Sequence, residues 1–255
     1  MAGSNAIDLS GQVAIVTGGT RGLGKDIAAA LAAAGCAVVV CGRNAPEQLP
    51  AGVSFIAADI RDPDQAKALV DQTVAAHGRL DILVNNAGGS PAADAATASP
   101  RFFDSILKLN LHAPMYMAQA AYPHMVAAGA GSIVNIASVS GIRPSPGTAA
   151  YGAAKAGLLN LTQSLAQEWG PQGVRVNAII AGLMQTETAE TTYGDAAAQA
   201  AVGQSMPLGR MGAGSDLAGA VLWLCSDLAS WVSGARINVD GGGERPYFLD
   251  LVKGN

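Results

Sequence analysis

Short runs rich in Val, Ile and Ala alternate with Ala-rich stretches of helical periodicity along nearly all of the 255 residues. Strand-like runs fall at Val13–Thr17, Ala37–Cys41, Val53–Ala57, Asp81–Val84, Ser132–Ala137, Val174–Ile180 and Ala235–Val239. Between them helices are expected at Gly22–Ala34, Pro63–His77, Arg101–Ala128 (with Pro114 inside), Ala149–Trp169 and Ser215–Cys225. The strand runs are nearly continuous in apolar residues, the pattern of strands covered on both faces. Strands separated by helical crossovers pair in parallel. The expected fold class is therefore α/β: a doubly wound, seven-stranded parallel sheet with helices on both faces. No linker, repeat or low-complexity block interrupts the alternation, so one domain over 1–255 is expected. The least regular parts are 183–214 and 241–255.

Composition narrows the function. Charged residues are 13% of the chain, about half the usual share, and hydrophobic residues are 50%. Such a chain can bury a core, which excludes intrinsic disorder. The net charge of -4, the absence of a Lys/Arg run and only 5% aromatics argue against a nucleic-acid partner. A membrane span is not expected either. The longest stretch without Asp, Glu, Lys or Arg, Leu109–Ile142, contains Asn110, Pro114, Gln119, Pro123 and Asn135, and reads as helix, turn and strand. Met1–Ser10 holds Asp8 and no signal-like apolar core, so a cytoplasmic protein is expected. Cys36, Cys41 and Cys225 form no even disulfide framework, and no Cys/His cluster has zinc spacing. Cys36 and Cys41 lie five apart, an odd separation that puts them on opposite faces if both sit on one strand.

In a doubly wound sheet, ligands bind beyond the carboxyl ends of the strands. Thr17-Gly18-Gly19-Thr20-Arg21-Gly22-Leu23-Gly24 lies at the first such end, before the first helix. Glycines permit positive φ and close backbone approach, and a helix N-terminus offers N–H groups to an anion. A phosphate-binding turn is expected. Gly19–Asp26 spells G-x-x-x-x-G-K-D, one residue short of a P-loop: Asp26 stands where the magnesium-binding hydroxyl would be needed and would repel phosphates. What the turn does match is G-x-x-x-G-x-G at Gly18, Gly22 and Gly24.

Further along, Tyr151 and Lys155 form Tyr-x-x-x-Lys near a helix start, a spacing that shares one helix face. Ser138 follows the fifth strand, Asn85-Asn86-Ala87-Gly88 follows the fourth, and Asn110 sits within the long helix. Taken together and in this order, the motifs resemble the short-chain dehydrogenase/reductase family over nearly the full chain. The resemblance implies a Rossmann-type fold and the interconversion of a ketone or 3-oxoacyl carbonyl with a secondary alcohol. It implies Tyr151 as general acid and base, Lys155 tuning Tyr151 and holding the nicotinamide ribose, Ser138 bonding the substrate oxygen, and Asn110 anchoring a relay water. A Lys ammonium lowers a neighbouring phenol's pKa. Cofactor contacts are implied at Gly18, Thr20, Arg21, Gly22, Leu23, Gly24, Arg43, Asn44, Asp59, Ile60, Asn86, Ala87, Gly88, Tyr151, Lys155, Gly182, Met184 and Thr186. Asp59 would bond the adenine amino group, with a helix N-terminal Asp as its other reading. Thr186 would bond the carboxamide.

After the second strand, Gly42-Arg43-Asn44 carries no acid to accept a ribose 2′-hydroxyl, and Arg21 and Arg43 suit a 2′-phosphate, so NADP(H) is expected over NAD(H). An NAD-dependent alcohol or steroid dehydrogenase of the same family, and a non-catalytic NADP(H)-binding member, are the alternatives. Ala181-Gly182 replaces the frequent Pro-Gly, which would leave that loop freer. Residues 183–214 read as a lid, and Met184 and Met206 suit a sizeable, mostly apolar substrate. Arg143 reads as a surface charge, with an anionic substrate tail as its other reading. A homo-oligomer, tetramer or dimer, is implied, and Glu244–Leu249 is expected to cover a neighbour's site.

Overall fold

The computed structural model describes residues 7–187, 189–246 and 248–252. Thr188 in the expected lid, and Tyr247 and 253–255 in the expected tail, lie outside the described residues. The strands are β1 (Val13–Thr17), β2 (Ala37–Gly42), β3 (Val53–Ala57), β4 (Ile82–Asn85), β5 (Gly131–Ser138), β6 (Val174–Ala181) and β7 (Arg236–Val239). They form one sheet in the order β3-β2-β1-β4-β5-β6-β7 with every pairing parallel. The helices are α1 (Gly22–Ala33), α2 (Pro63–His77), α3 (Pro100–Leu107), α4 (Ala113–Ala128), α5 (Ala149–Trp169), α6 (Ala189–Tyr193), α7 (Ala196–Ser205), α8 (Gly214–Cys225) and α9 (Phe248–Leu251).

Alternation along each strand feeds two cores. Val16, Val38 and Val84 pack with Ile27 and Leu31 of α1 and Leu217 and Val221 of α8. Their neighbours Ile15, Val39 and Leu83 pack on the other face with Leu69 of α2, Met117 of α4 and Leu165 of α5. This is why the strand runs are apolar throughout. Cys36 joins the first core and Cys41 the second, on opposite faces as expected. All three thiols are buried, which pushes Cys36 and Cys225 up to about 12 and Cys41 to about 11. The strand order reverses between β1 and β4, so the carboxyl ends of these two strands open a crevice.

The structure departs from the sequence reading in three places. The expected helix 101–128 is divided into α3, a π-helical turn at Lys108–His112, and α4. Pro114 has no N–H, so the carbonyl four residues earlier, on Asn110, loses its α-helical donor and the ladder is re-registered here. The lid region 183–214 is not irregular: it carries α6 and α7, and the Asp195 side chain caps α7 by accepting from the Ala198 N–H at 2.9 Å. Finally, Ala181 does not loosen a loop. It is the last residue of β6, in register with Ser138 of β5 and Val239 of β7.

Candidate active site

Over β5, the strand delivers Ser138 to the sheet rim, and the chain returns through a 3-10 turn, Val139–Gly141, into α5. The Ser138 hydroxyl accepts from the Ser140 N–H at 3.2 Å and shares a side-chain hydrogen bond with Tyr151. One helical turn on, Lys155 is 3% exposed, donates its ammonium to the Ile136 carbonyl at 2.8 Å and lies 5.5 Å from the Tyr151 ring centroid. Gly141 lets the returning turn lie against the helix backbone, because a Cβ there would meet the Lys155 carbonyl carbon at 2.8 Å.

Burial dominates the electrostatics. It pushes the Tyr151 phenol above its ordinary value, against the Ser138 hydrogen bond that favours the phenolate. It also pushes the Lys155 ammonium down to about 8, since the charged form loses its water. The protein's own groups therefore raise Tyr151, the opposite direction from that expected of its Lys neighbour.

Asn110 is fully buried in the π-helical turn. Its side chain accepts from the Gly89 N–H at 2.9 Å and donates to the Gly89 and Ile106 carbonyls at 3.0 and 2.9 Å. Gly88 fits between two site residues: a Cβ on it would lie 2.7 Å from Asn110 Oδ1 and 3.2 Å from Lys155 Nζ. The other end of the same segment is tied to the glycine turn. The Thr17 hydroxyl accepts from the Asn86 and Ala87 N–H groups at 3.0 Å each, and Asn86 Nδ2 donates to the Thr17 carbonyl at 2.9 Å. Residues 86–89 thus bridge the crevice from β1 to Lys155.

The glycine turn is built for close approach. Gly18 and Gly22 have φ of 64° and 52°, which L side chains rarely adopt. A Cβ on Gly24 would lie 2.5 Å from the Gly18 carbonyl oxygen and 2.3 Å from Asn86 Nδ2. The cradle fits a dinucleotide: small residues, positive φ and the N-terminus of α1 converge at the switch point. Arg43, just after β2, and Arg21, at the N-terminus of α1, are both exposed, and Thr20 approaches Gly42. Asp59 is not the helix cap. Asp62 caps α2, accepting from the Asp64 N–H, while Asp59 forks onto Arg61 at 2.8 and 2.5 Å, which holds its carboxyl below the usual range.

At the start of the lid, Gly182 approaches β7 so closely that a Cβ would lie 2.6 Å from Asp240 Cα. Met184 and Met206 are buried; Met184 joins the first core, and both line a cavity with Asn238, Asp240 and Gly241 at the end of β7. Thr186 comes within van der Waals range of the space above Gly22.

Sequence reasoning missed four participants. Glu187 accepts from the Gly22 N–H at 3.0 Å, placing a carboxylate on the N-terminus of α1; that bond, with Lys25 and Arg21 nearby, lowers its pKa. Its signal was an acid directly after Thr186. Tyr193 of α6 acts electrostatically on Tyr151; nothing in its local sequence marked it. Asn135 and Thr162 form a buried chain under the site: Asn85 Nδ2 donates to Asn135 Oδ1, Asn135 Nδ2 to the Thr162 hydroxyl, both at 2.9 Å. A polar residue in an apolar strand, and one seven positions beyond Lys155 on the same helix face, were the available clues.

The chain matches the family model described as enoyl-(acyl carrier protein) reductase over residues 18–244. It is 39% identical to 2-dehydro-3-deoxy-D-gluconate 5-dehydrogenase of Escherichia coli, over 93% of this chain and 97% of that one. It is 36% identical to dehydrogenase/reductase SDR family member 4 of Caenorhabditis elegans, over 94% and 97% of the two chains. A crystal structure described as a 2-deoxy-D-gluconate 3-dehydrogenase from Agrobacterium tumefaciens, with bound NADP, superposes with a TM-score of 0.84 at 39% identity, covering 94% of this chain and 98% of that one. With the parallel sheet in this order and the matches running almost end to end, the chain belongs to the short-chain dehydrogenase/reductase family of oxidoreductases.

Proposed function

We propose that the protein is an NADP(H)-dependent enzyme that interconverts a ketone and a secondary alcohol, with Tyr151 as the proton donor and acceptor. The observation that carries this reading is the Ser138–Tyr151 hydrogen bond with the buried Lys155 beside it, at the rim facing the glycine turn. A bound nicotinamide supplies or takes up the hydride. The chain's residues do the rest. Ser138 and Tyr151 hydrogen-bond the reacting oxygen, and the Tyr151 proton passes to it in reduction and returns in oxidation. Lys155 stabilises the phenolate when charged, and Asn110 shapes the wall behind it. Gly18, Thr20, Gly22, Leu23 and Gly24 would hold the pyrophosphate, Asn86, Ala87 and Gly88 the adenosine side, and Gly182, Met184 and Thr186 the nicotinamide.

Arg21, Arg43 and Asn44 would hold a 2′-phosphate, in keeping with the NADP bound in a 39% identical relative. Asp59 and Ile60 would flank the adenine, Asp59 while held by Arg61. The sugar-acid names of two relatives support a hydroxylated substrate over a 3-oxoacyl thioester.

The test is a panel of ketones and secondary alcohols followed by cofactor absorbance, alongside NADPH and NADH titration. Turnover that survives Tyr151→Phe near the wild-type rate would sink the mechanism, and tighter binding of NADH would sink the cofactor assignment. We further propose a cytoplasmic homo-oligomer. Trp231 is 98% exposed and Leu228 71%, and a groove of about 490 Å³ lined by Leu111, Met115, Tyr116 and Leu161 runs along α4 and α5. A monomeric mass by light scattering would refute the assembly.

A further inference from the structure

Arg143 lies on the loop 139–148, which leaves Ser138 and re-enters the fold at α5 just before Tyr151, and it is the only charged residue of that loop. Its N–H donates to the Val139 carbonyl at 3.1 Å, so the residue is held to the turn that follows Ser138. Its side chain forks onto Glu244: Nη2 donates to Oε1 at 2.7 Å, and Nε faces Oε2. Nη1 donates to the Pro144 carbonyl at 3.1 Å. Tyr193 links this pair to the reaction centre electrostatically. Its hydroxyl is bonded by the Met184 main chain, the charges of both Arg143 and Glu244 act on it, and it acts in turn on Tyr151. These side chains therefore share one rim of the cleft.

Glu244 is not part of the sheet. It follows Gly241, Gly242 and Gly243, whose φ values are 66°, 96° and 77°, so the acid hangs on three consecutive residues in a conformation reserved for glycine. Both partners are more than a third exposed. The pair is thus a solvent-facing fork whose carboxylate comes from the turn after β7, beside a site that handles a ketone.

We propose that Arg143 reads a carboxylate on the substrate, an oxo acid or its hydroxy-acid counterpart, and that Glu244 holds the guanidinium until that carboxylate replaces it. The proposal rests on the ketone–alcohol reading of the Ser138–Tyr151–Lys155 centre. The exchange is balanced in charge. Arg143 keeps a bidentate carboxylate partner, for which its planar fork is suited and an ammonium is not. Glu244 moves into water, so no charge is left buried and unpaired. A neutral substrate of the same shape gains nothing from the exchange and meets a guanidinium already satisfied.

The experiment compares an oxo acid that the enzyme reduces with its methyl ester, which removes the charge and keeps the carbonyl. In Arg143→Gln the acid-over-ester ratio of kcat/KM falls ~100-fold, the scale of a lost charge-assisted pair, and the loss lies in KM. Arg143→Lys falls between, and Glu244→Gln raises the ratio several-fold because the tail no longer competes. Equal losses on acid and ester in Arg143→Gln, or a lower ratio in Glu244→Gln, would overturn the proposal and leave the pair as a clasp for the tail. Calorimetric binding of the acid and ester to the NADPH-loaded protein repeats the comparison without turnover. In that assay Tyr151→Phe binds the acid while failing to reduce it. Turnover that survives Tyr151→Phe breaks the catalytic reading, whereas acid binding that survives Arg143→Gln breaks this one.

Discussion

Lys155, over β5, is 3% exposed and draws its properties from the water it has lost, whereas Arg21 before α1 and Arg43 after β2 stand in solvent. Both groups of cations crown the same rim of one sheet. The buried one is tuned by desolvation, with its ammonium lowered to about 8. The exposed ones keep a permanent charge and act through fields that salt screens. A sheet edge can thus carry a proton-handling half and an anion-handling half side by side. Which half a cation serves is set by the depth at which the fold leaves it.

The largest effect should come from the buried half. Tyr151→Phe removes the phenol bonded to Ser138, and a loss of about 10²–10⁴-fold in kcat is expected, read by cofactor absorbance at saturating substrate. NADPH binding should be unchanged within about twofold, the scatter expected where no charge is altered.

Lys155 provides a test in pH. Its folded pKa is depressed, so below about 8 the folded state must carry a buried charge that the unfolded chain carries in water, and this penalises folding. The unfolded state binds more protons between about 8 and the ordinary lysine value. Wild-type stability relative to Lys155→Met should therefore rise with pH across that window and be flat below it, measured by denaturant melts. A difference that falls with pH would contradict the depressed value.

Breaking the exposed half should look different. Arg43→Ala should weaken NADPH by about 10–30-fold, as a lost charge-assisted bond would, and leave NADH nearly untouched. The loss should shrink at high salt. Equal loss for both cofactors would remove Arg43 from the 2′-phosphate.

Between the halves lies a packing prediction. Thr162→Val deletes the acceptor of the Asn135 amide in the buried chain under the site, and about 1–3 kcal/mol of stability should go with it. The smallest effect concerns Glu187. Glu187→Gln removes a carboxylate from the N-terminus of α1, and NADPH should bind a few-fold tighter, on the scale of an anion's interaction with a helix end. Weaker binding would show that Glu187 supports the turn rather than competing for it.

Much of this was readable before any coordinates. The continuous apolar runs implied two covered faces, and Ile15 and Val16 do feed opposite cores. Tyr151 and Lys155 shared a face by spacing, and Gly18, Gly22 and Gly24 fell at a strand–helix junction where positive φ is needed at the first two. The long helix was misread because a proline near a helix start is compatible with one continuous helix as well as with two. The missing N–H of Pro114 changes the register there, and the turn that results holds the Asn110 side chain on the Gly89 backbone.

The amino-acid order by itself determined the layered α/β fold, the placement of Ser138 and the glycine turn at strand ends, and the absence of an acid after β2. These depend on local periodicity and backbone geometry, which neighbouring residues set. Tertiary structure alone decided the electrostatics: the rise of Tyr151, the fall of Lys155, Glu187 on Gly22 from 165 residues away and Glu244 on Arg143 from 101 away. Desolvation and long-range pairing depend on which distant segments close over a group, and no local pattern in the chain encodes that.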